Sequence, residues 1–177
     1  MKKILYIHGY NSSGTTGKSM QEIFKKYFPQ YEVLAPKISP IYSEAKQTID
    51  KVINDNDIAL VIGTSLGGFD TLMIDKPVLK LIINPTLDPF GTLPKIDAPK
   101  EHYESYKDLN YKSVINGDIQ ANTYGIFGNR DKVVNFRDEF RKNYLENHVF
   151  ILPELEHQIK YEEIEKDLVP LVDYLLN

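Results

Sequence analysis

Short apolar segments alternate with helix-period segments along this chain, and this alternation constrains the fold more than any other feature. Several of the apolar segments, such as "IALVIG" (58–63) and "LKLIIN" (79–84), contain few polar residues, which is typical of parallel strands covered on both faces. The pattern predicts an α/β fold with a six-stranded, mostly parallel sheet and helices on both of its faces. The predicted strands are 3–9, 31–36, 58–63, 79–84, 123–128 and 148–152, and the predicted helices lie near 17–28, 42–54, 66–74, 134–145 and 160–176.

Length and composition indicate one soluble globular domain over residues 1–177. The net charge of −4 with scattered Lys and Arg offers no basic face for nucleic acid or anionic lipid. No cysteine is present, which excludes disulfides, thiolate nucleophiles and cysteine-based metal sites. The first apolar run ends at His8 and Gly9, too early for a signal peptide, and no run is long enough to span a bilayer. We therefore expect a cytoplasmic protein.

Two features break the regular alternation. Residues 85–120 form a long excursion rich in Pro and Tyr that has no clear strand, and such segments serve either as lids and binding loops or as disordered surface. We expect this excursion to be lid-like. In the last predicted helix, Pro170 should cause a kink or divide the helix into two pieces.

A serine motif lies between the third predicted strand and the helix that follows it. Gly63, Ser65 and Gly67 match the pattern G-x-S-x-G in "LVIGTSLGGF", in the strand-to-helix context that a nucleophile elbow requires. In such a turn the serine hydroxyl projects above the sheet, and the glycines avoid a collision across the turn. The amide of Leu66 would then lie at a helix N-terminus, free to stabilise negative charge. The motif predicts that Ser65 is a nucleophile.

A serine nucleophile needs a base, and the position of each histidine along the chain favours His157. In α/β-hydrolases the order is serine, acid, histidine, and the site lies at the carboxyl ends of the strands. His8 precedes the serine, His102 lies in the excursion before the best acid, and His148 begins the last strand at the wrong end of the sheet. His157 follows the last predicted strand, where the base is expected.

Two carboxylates are candidates for the acid that orients His157. Asp131, in "GIFGNRDKVVN", comes just after the fifth predicted strand in a short turn that would hold it rigidly. Asp88, in "IINPTLDPF", follows the fourth strand and also lies at the correct end of the sheet. We favour Asp131, and the choice depends on geometry.

The loop after the first strand, "HGYNSSGTTGKS", supports two interpretations. In a sheet of order 2-1-3-4-5-6 this loop and the Ser65 turn leave neighbouring strands and border one crevice, where the amide of Tyr10 could complete an oxyanion hole with that of Leu66. Alternatively, Gly17, Lys18 and Ser19 could end a phosphate loop, but a Walker A motif needs a glycine where Ser12 stands. The hydrolase interpretation is favoured.

With these residues assigned, the sequence resembles the YqiA/YcfP-like esterases, which are small bacterial α/β-hydrolases. The segments "ILYIHGYNSS", "IGTSLGGF", "IINPTLDPF", "HYESYKDL" and "GNRDKVVNF", together with the region of His157, carry the resemblance over nearly the whole chain. It implies a minimal α/β-hydrolase fold, esterase or thioesterase activity, and a triad of Ser65, Asp131 and His157. The sequence departs from the family in "LEHQI", because many members have Gly or Asn just before the histidine.

The sequence as a whole predicts a serine hydrolase that cleaves small-molecule carboxylic esters or thioesters through an acyl-enzyme, without a metal or organic cofactor. A non-catalytic binding module that keeps the α/β-hydrolase architecture is the alternative.

Overall fold

The computed structural model describes residues 1–177 and contains one six-stranded sheet in which all neighbouring strands are parallel. The strand order is β2-β1-β3-β4-β5-β6, as predicted. The order reverses direction at β1 and β3, so the loops that leave these two strands diverge and open a crevice at the carboxyl edge. The strands are β1 Lys3–Ile7, β2 Glu32–Leu34, β3 Ile58–Thr64, β4 Lys80–Ile83, β5 Thr123–Gly128 and β6 Val149–Leu152.

Helices cover both faces of the sheet, because successive strand residues point to opposite sides and both sets are apolar. On one face, Ile4, Leu60 and Ile83 pack with the first and last helices. On the other face, Leu5 and Val61 pack with the second helix. The helices outside the excursion are α1 Thr15–Tyr27, α2 Tyr42–Asp55, α3 Leu66–Leu72 and α7 Arg137–Arg141, followed by the C-terminal segments. None of the helices combines the length and apolar character needed to cross a membrane.

The excursion 85–120 is folded against the body of the protein and contains several short helical segments. Tyr106 and Tyr111 are buried and pack with Phe69 of α3 in one apolar cluster. The sequence pattern did not reveal these helices, because each has at most five residues and therefore no helical period. They are α4 Pro89–Thr92, α5 Lys100–Glu104 and α6 Gly117–Ala121, with 3-10 turns at Leu93–Ile96 and Tyr111–Val114. The lid role of the excursion stays a prediction.

The C-terminal helix is interrupted in front of Pro170. It begins as α8 Tyr161–Glu163, widens into a π-helical turn at Ile164–Leu168, and continues as α9 Val169–Leu176. Proline has no amide hydrogen, so it removes one helical hydrogen bond, and the wider turn accommodates this loss. The interruption agrees with the prediction from Pro170.

Candidate active site

Ser65 lies on a sharp turn between β3 and α3 with a strained backbone. Its φ of 53° is in a region that residues other than glycine rarely adopt. The two flanking glycines make this turn possible: a Cβ on Gly63 would lie 2.4 Å from the carbonyl oxygen of Gly67, and a Cβ on Gly67 would lie 2.3 Å from that of Ile7. The geometry is that expected for a nucleophile elbow.

We expect Gly67→Ala to destabilise the protein by about 1–3 kcal/mol, because the added methyl group collides with the backbone and not with a movable side chain. Gly117→Ala is the matched control, since its Cβ would meet nothing within 4 Å and the residue begins α6. That control should leave the free energy of unfolding unchanged or raise it by about 0.4–1 kcal/mol. Urea denaturation of both variants tests this, and equal midpoints would contradict the tight packing of the turn.

His157 joins Ser65 to Asp131 through two hydrogen bonds. Nε2 of His157 lies 2.9 Å from Oγ of Ser65, and Nδ1 lies 2.9 Å from Oδ2 of Asp131. A carboxylate can only accept, so Nδ1 carries the hydrogen and donates it, and Nε2 is left to accept the serine hydroxyl hydrogen. The side chain of His157 is 17% exposed and that of Asp131 is 3% exposed, so this chain of contacts is largely shielded from water.

The two candidate acids have different partners. Oδ1 of Asp131 accepts hydrogen bonds from the backbone amides of Val133 (2.8 Å) and Val134 (3.1 Å), which fixes the carboxylate while Oδ2 contacts His157. Asp88 instead caps α4, where its side chain accepts from the amide of Gly91 at 2.9 Å. The geometry therefore brings Asp131, and not Asp88, to the histidine.

The two predicted oxyanion donors both line the cleft beside Ser65. The loop with Tyr10 packs closely on the serine, since a Cβ on Gly9 would lie 3.1 Å from Cβ of Ser65. No acceptor within the protein pairs with the backbone amide of Tyr10 or of Leu66. Both donors are therefore available to an oxygen atom bound in the cleft.

The other three histidines have partners away from Ser65. Nε2 of His8 accepts from the amide of Ile38, and its Nδ1 donates to the carbonyl of Gly9 at 2.8 Å, which fixes the loop that leads to Tyr10. His102, in the excursion, is hydrogen-bonded to the hydroxyl of Tyr10 at 2.9 Å. His148 is buried at the amino end of the sheet and contacts the carbonyl of Thr123.

The segment that resembled a phosphate loop lies largely within α1. Gly17 packs against Tyr6 of β1 and against Ala35, which follows β2, because a Cβ on Gly17 would lie 3.1 Å from Cβ of Ala35 and near the ring of Tyr6. Lys18 is exposed on the helix surface. The glycine thus has a packing reason that is independent of nucleotide binding.

A cleft of about 650 Å³ contains Ser65 and His157. The loop after β1 and the start of α1 line it with hydroxyl groups, and aliphatic side chains from the excursion, the loop after β5 and the last loop line it elsewhere. The hydroxyl residues are Ser12, Ser13, Thr15, Thr16 and Ser19, and the aliphatic residues include Leu93, Ile96, Val133, Val134 and Ile159. The protein contains no group of three or more His, Asp or Glu side chains placed to hold a metal ion.

Comparison with protein families gives a match over residues 3–176 to an uncharacterised protein family, UPF0227. The chain belongs to this family. The resemblance to the YqiA/YcfP-like esterases is thereby confirmed.

Solved structures show that this UPF0227 member has the α/β-hydrolase fold. It is similar to the ydeN gene product from B. subtilis, with a TM-score of 0.73 and 12% identity over 99% of this chain and 98% of that one. Est1E from Butyrivibrio proteoclasticus gives a TM-score of 0.71 and 12% identity over 99% and 88% of the two chains. The esterase domain of a Rhodothermus marinus protein gives 0.69 and 14% over 99% and 85%.

Sequence reasoning missed two buried polar residues near the site of this UPF0227 protein. Asp70 follows Ser65 on α3, and Asn84 follows β4. The signal for Asn84 was present in "IINP", since asparagine tolerates the positive φ that a sharp turn after a buried strand requires. Asp70 offered no comparable signal, because an acid in a short helix is usually exposed.

Asp70 makes the stability of the fold depend on pH. Burial raises the pKa of its carboxyl to about 8, and the hydroxyl of Tyr106, which donates to Oδ1 at 3.3 Å, opposes only part of this shift. In the unfolded chain the pKa is about 3.9. Between these values the folded state holds a proton that the unfolded state releases, so stability falls as pH rises through this range.

We therefore expect the free energy of unfolding to fall by up to about 1.4 kcal/mol per pH unit between about pH 5 and pH 8 because of Asp70. Asp70→Asn should remove this contribution, and Asp88→Asn, at an exposed cap, should leave it intact. Urea titrations of the three proteins at several pH values measure the slopes. Parallel slopes for wild type and Asp70→Asn would contradict the prediction.

Proposed function

We propose that this protein is a serine hydrolase that cleaves carboxylic esters or thioesters through an acyl-enzyme. The observation that carries the proposal is the continuous hydrogen-bonded chain from Ser65 through His157 to Asp131, at the carboxyl edge of an α/β-hydrolase sheet. A serine hydroxyl is a poor nucleophile until a positioned base accepts its proton. Here the base, His157, lies within hydrogen-bonding distance of Ser65, and the group that orients the base, Asp131, lies within hydrogen-bonding distance of His157.

In the proposed reaction, Oγ of Ser65 attacks the acyl carbon while Nε2 of His157 accepts the hydroxyl proton. Asp131 keeps the imidazole in the required tautomer and stabilises the imidazolium. The carbonyl oxygen becomes an oxyanion, which the amides of Tyr10 and Leu66 stabilise. Collapse of the tetrahedral intermediate expels the alcohol or thiol, which takes the proton from His157, and the acyl group stays on Ser65.

Water completes the proposed cycle. His157 accepts a proton from the water molecule as the water attacks the acyl-enzyme, and the second tetrahedral intermediate collapses to release the acid and return the proton to Ser65. Ser65, His157 and the two oxyanion donors line the cleft, and Asp131 contacts His157 from beneath the lining. The net reaction consumes one water molecule.

The cleft lining favours small-molecule substrates with short or medium acyl chains. Its aliphatic residues form a modest apolar surface, and the other wall is rich in hydroxyl groups, so a long lipid chain would have to contact polar surface. Structural relatives that are named as esterases are consistent with an ester substrate. We retain the thioester as a second substrate class because the same mechanism cleaves both.

Hydrolysis of acyl p-nitrophenyl esters and acyl thioesters of increasing chain length by the purified protein tests the proposal. We expect turnover with a higher kcat/KM for short chains than for long ones. A higher kcat/KM for long chains would contradict the proposed substrate size. A folded protein that turns over no member of either series would contradict the hydrolase and favour the binding module.

A further inference from the structure

Asn84 connects two of the three loops that carry the proposed triad. It follows β4, is 2% exposed, and has a φ of 44°. Its Nδ2 donates to the backbone carbonyl of Glu156 at 2.7 Å and to that of His157 at 3.2 Å. Its Oδ1 accepts from the amide of Gly128 at 2.7 Å. A single side-chain amide thus uses both its donor and its acceptor on backbone groups of two separate loops.

These contacts reach the backbone next to two triad residues. The carbonyl of His157 belongs to the triad residue itself. Gly128 ends β5, and its carbonyl accepts from the amide of Asp131 at 3.3 Å, so Gly128 also begins the turn that holds the acid. The distance between the His157 and Asp131 side chains therefore depends on two backbone segments that Asn84 joins.

The residues on either side of Asn84 hold the third loop. The amide of Ser65 donates to the carbonyl of Ile83 at 3.1 Å, and the amide of Thr86 donates to the carbonyl of Ser65 at 3.2 Å. The four residues 83–86 therefore contact the backbone of all three triad loops, although they contribute no triad side chain.

We propose that Asn84 is a positioning residue that sets the placement of His157 relative to Asp131 and Ser65, an inference that rests on the proposed function. Asparagine suits this position for two reasons. Its amide has both the donor and the acceptor that the two loops require, whereas a carboxylate would face two carbonyl oxygens. It also tolerates positive φ better than other non-glycine residues.

The test compares Asn84→Gly with Thr123→Val. Glycine keeps the positive φ accessible, so Asn84→Gly removes the side-chain hydrogen bonds without adding backbone strain. Thr123 is fully buried at the amino end of β5, and its hydroxyl donates to the carbonyl of Ile119 at 2.6 Å. Thr123→Val thus removes a buried hydrogen bond from β5 at the amino edge of the sheet, opposite the triad. It controls for any effect on kcat that comes only from lower stability of the fold.

We expect Asn84→Gly to lower kcat for a short-chain p-nitrophenyl ester by about 10²-fold with little change in KM, because a small misplacement of the reacting groups acts on the chemical step. Thr123→Val should change kcat less than about threefold, although it should lower Tm by about as much as Asn84→Gly does. Equal kcat in wild type and Asn84→Gly, or an equal loss in both variants, would overturn the positioning role.

The downfield proton NMR signal of His157 Nδ1–H, hydrogen-bonded to Asp131, gives a readout that does not need turnover. We expect it in wild type and Thr123→Val and expect it to be lost or shifted in Asn84→Gly. An unchanged Nδ1–H signal in Asn84→Gly would overturn the positioning role of Asn84, whether or not the wild-type protein hydrolyses esters. A wild-type protein that hydrolyses no ester would overturn only the proposed function. If Asn84→Gly does not fold, Asn84→Asp is compared with Thr123→Val in its place, because it keeps the acceptor and loses the donor. A wild-type kcat and a wild-type Nδ1–H signal in Asn84→Asp would overturn the positioning role of Asn84.

Discussion

Ser65→Ala is expected to reduce kcat for ester hydrolysis by about 10⁶-fold. Removing the nucleophile of a serine hydrolase leaves only the contribution of the oxyanion donors and of substrate binding. The variant loses Oγ and its 2.9 Å hydrogen bond to His157, while the turn keeps both flanking glycines. Initial rates with a short-chain ester, measured at high enzyme concentration, determine the residual activity.

Ser43→Ala is the matched control, because Ser43 is exposed on α2 and does not line the cleft. It should retain kcat within about threefold, as expected for a surface substitution outside the reacting groups. Circular dichroism should show both variants folded. A Ser65→Ala protein that retains more than a small fraction of wild-type kcat would assign the reaction to another nucleophile or to a contaminating enzyme.

Asp131→Asn is expected to lower kcat by about 10⁴-fold. An asparagine amide can donate to Nδ1 of His157 and so favours the tautomer in which Nε2 carries the hydrogen and cannot accept the Ser65 proton. The geometry at this position changes little, since the asparagine Oδ1 can still accept from the amides of Val133 and Val134.

Asp88→Asn distinguishes the two acids that the sequence left open. Asparagine is as good an N-cap as aspartate, so α4 should be preserved and kcat should stay within about threefold of wild type. The pH dependence of kcat/KM for the three proteins separates a changed protonation state from a changed binding affinity. A larger loss in Asp88→Asn than in Asp131→Asn would reverse the assignment of the acid.

Much of the fold was predictable from the sequence because its signals are local. Uniformly apolar strands predicted the parallel sheet, and G-x-S-x-G between a strand and a helix predicted the Ser65 turn, where the backbone requires glycine at Gly63 and Gly67. The boundaries were less accurate. Strand β1 ends at Ile7, before His8 and Gly9, and the helix predicted at 134–145 forms regular turns only over Arg137–Arg141.

The parts that sequence reasoning missed depend on long-range contacts. The excursion folds because Tyr106 and Tyr111 pack against the apolar surface of α3. The hydrophobic periodicity within the excursion does not indicate this contact. Asn84 gains its importance from Gly128 and His157, which are 44 and 73 residues away in the chain. The burial of Asp70 likewise depends on Tyr106 from another segment. A pattern within one segment cannot specify such partners.

Labelling with a fluorophosphonate probe, followed by intact-mass measurement and peptide mapping, tests most directly whether Ser65 is activated by His157 and Asp131. We expect one covalent adduct per chain, located on Ser65, absent in Ser65→Ala and strongly slowed in His157→Ala. A folded wild-type protein that forms no adduct, or forms one on a different residue, would contradict the activation of Ser65 by His157 and Asp131.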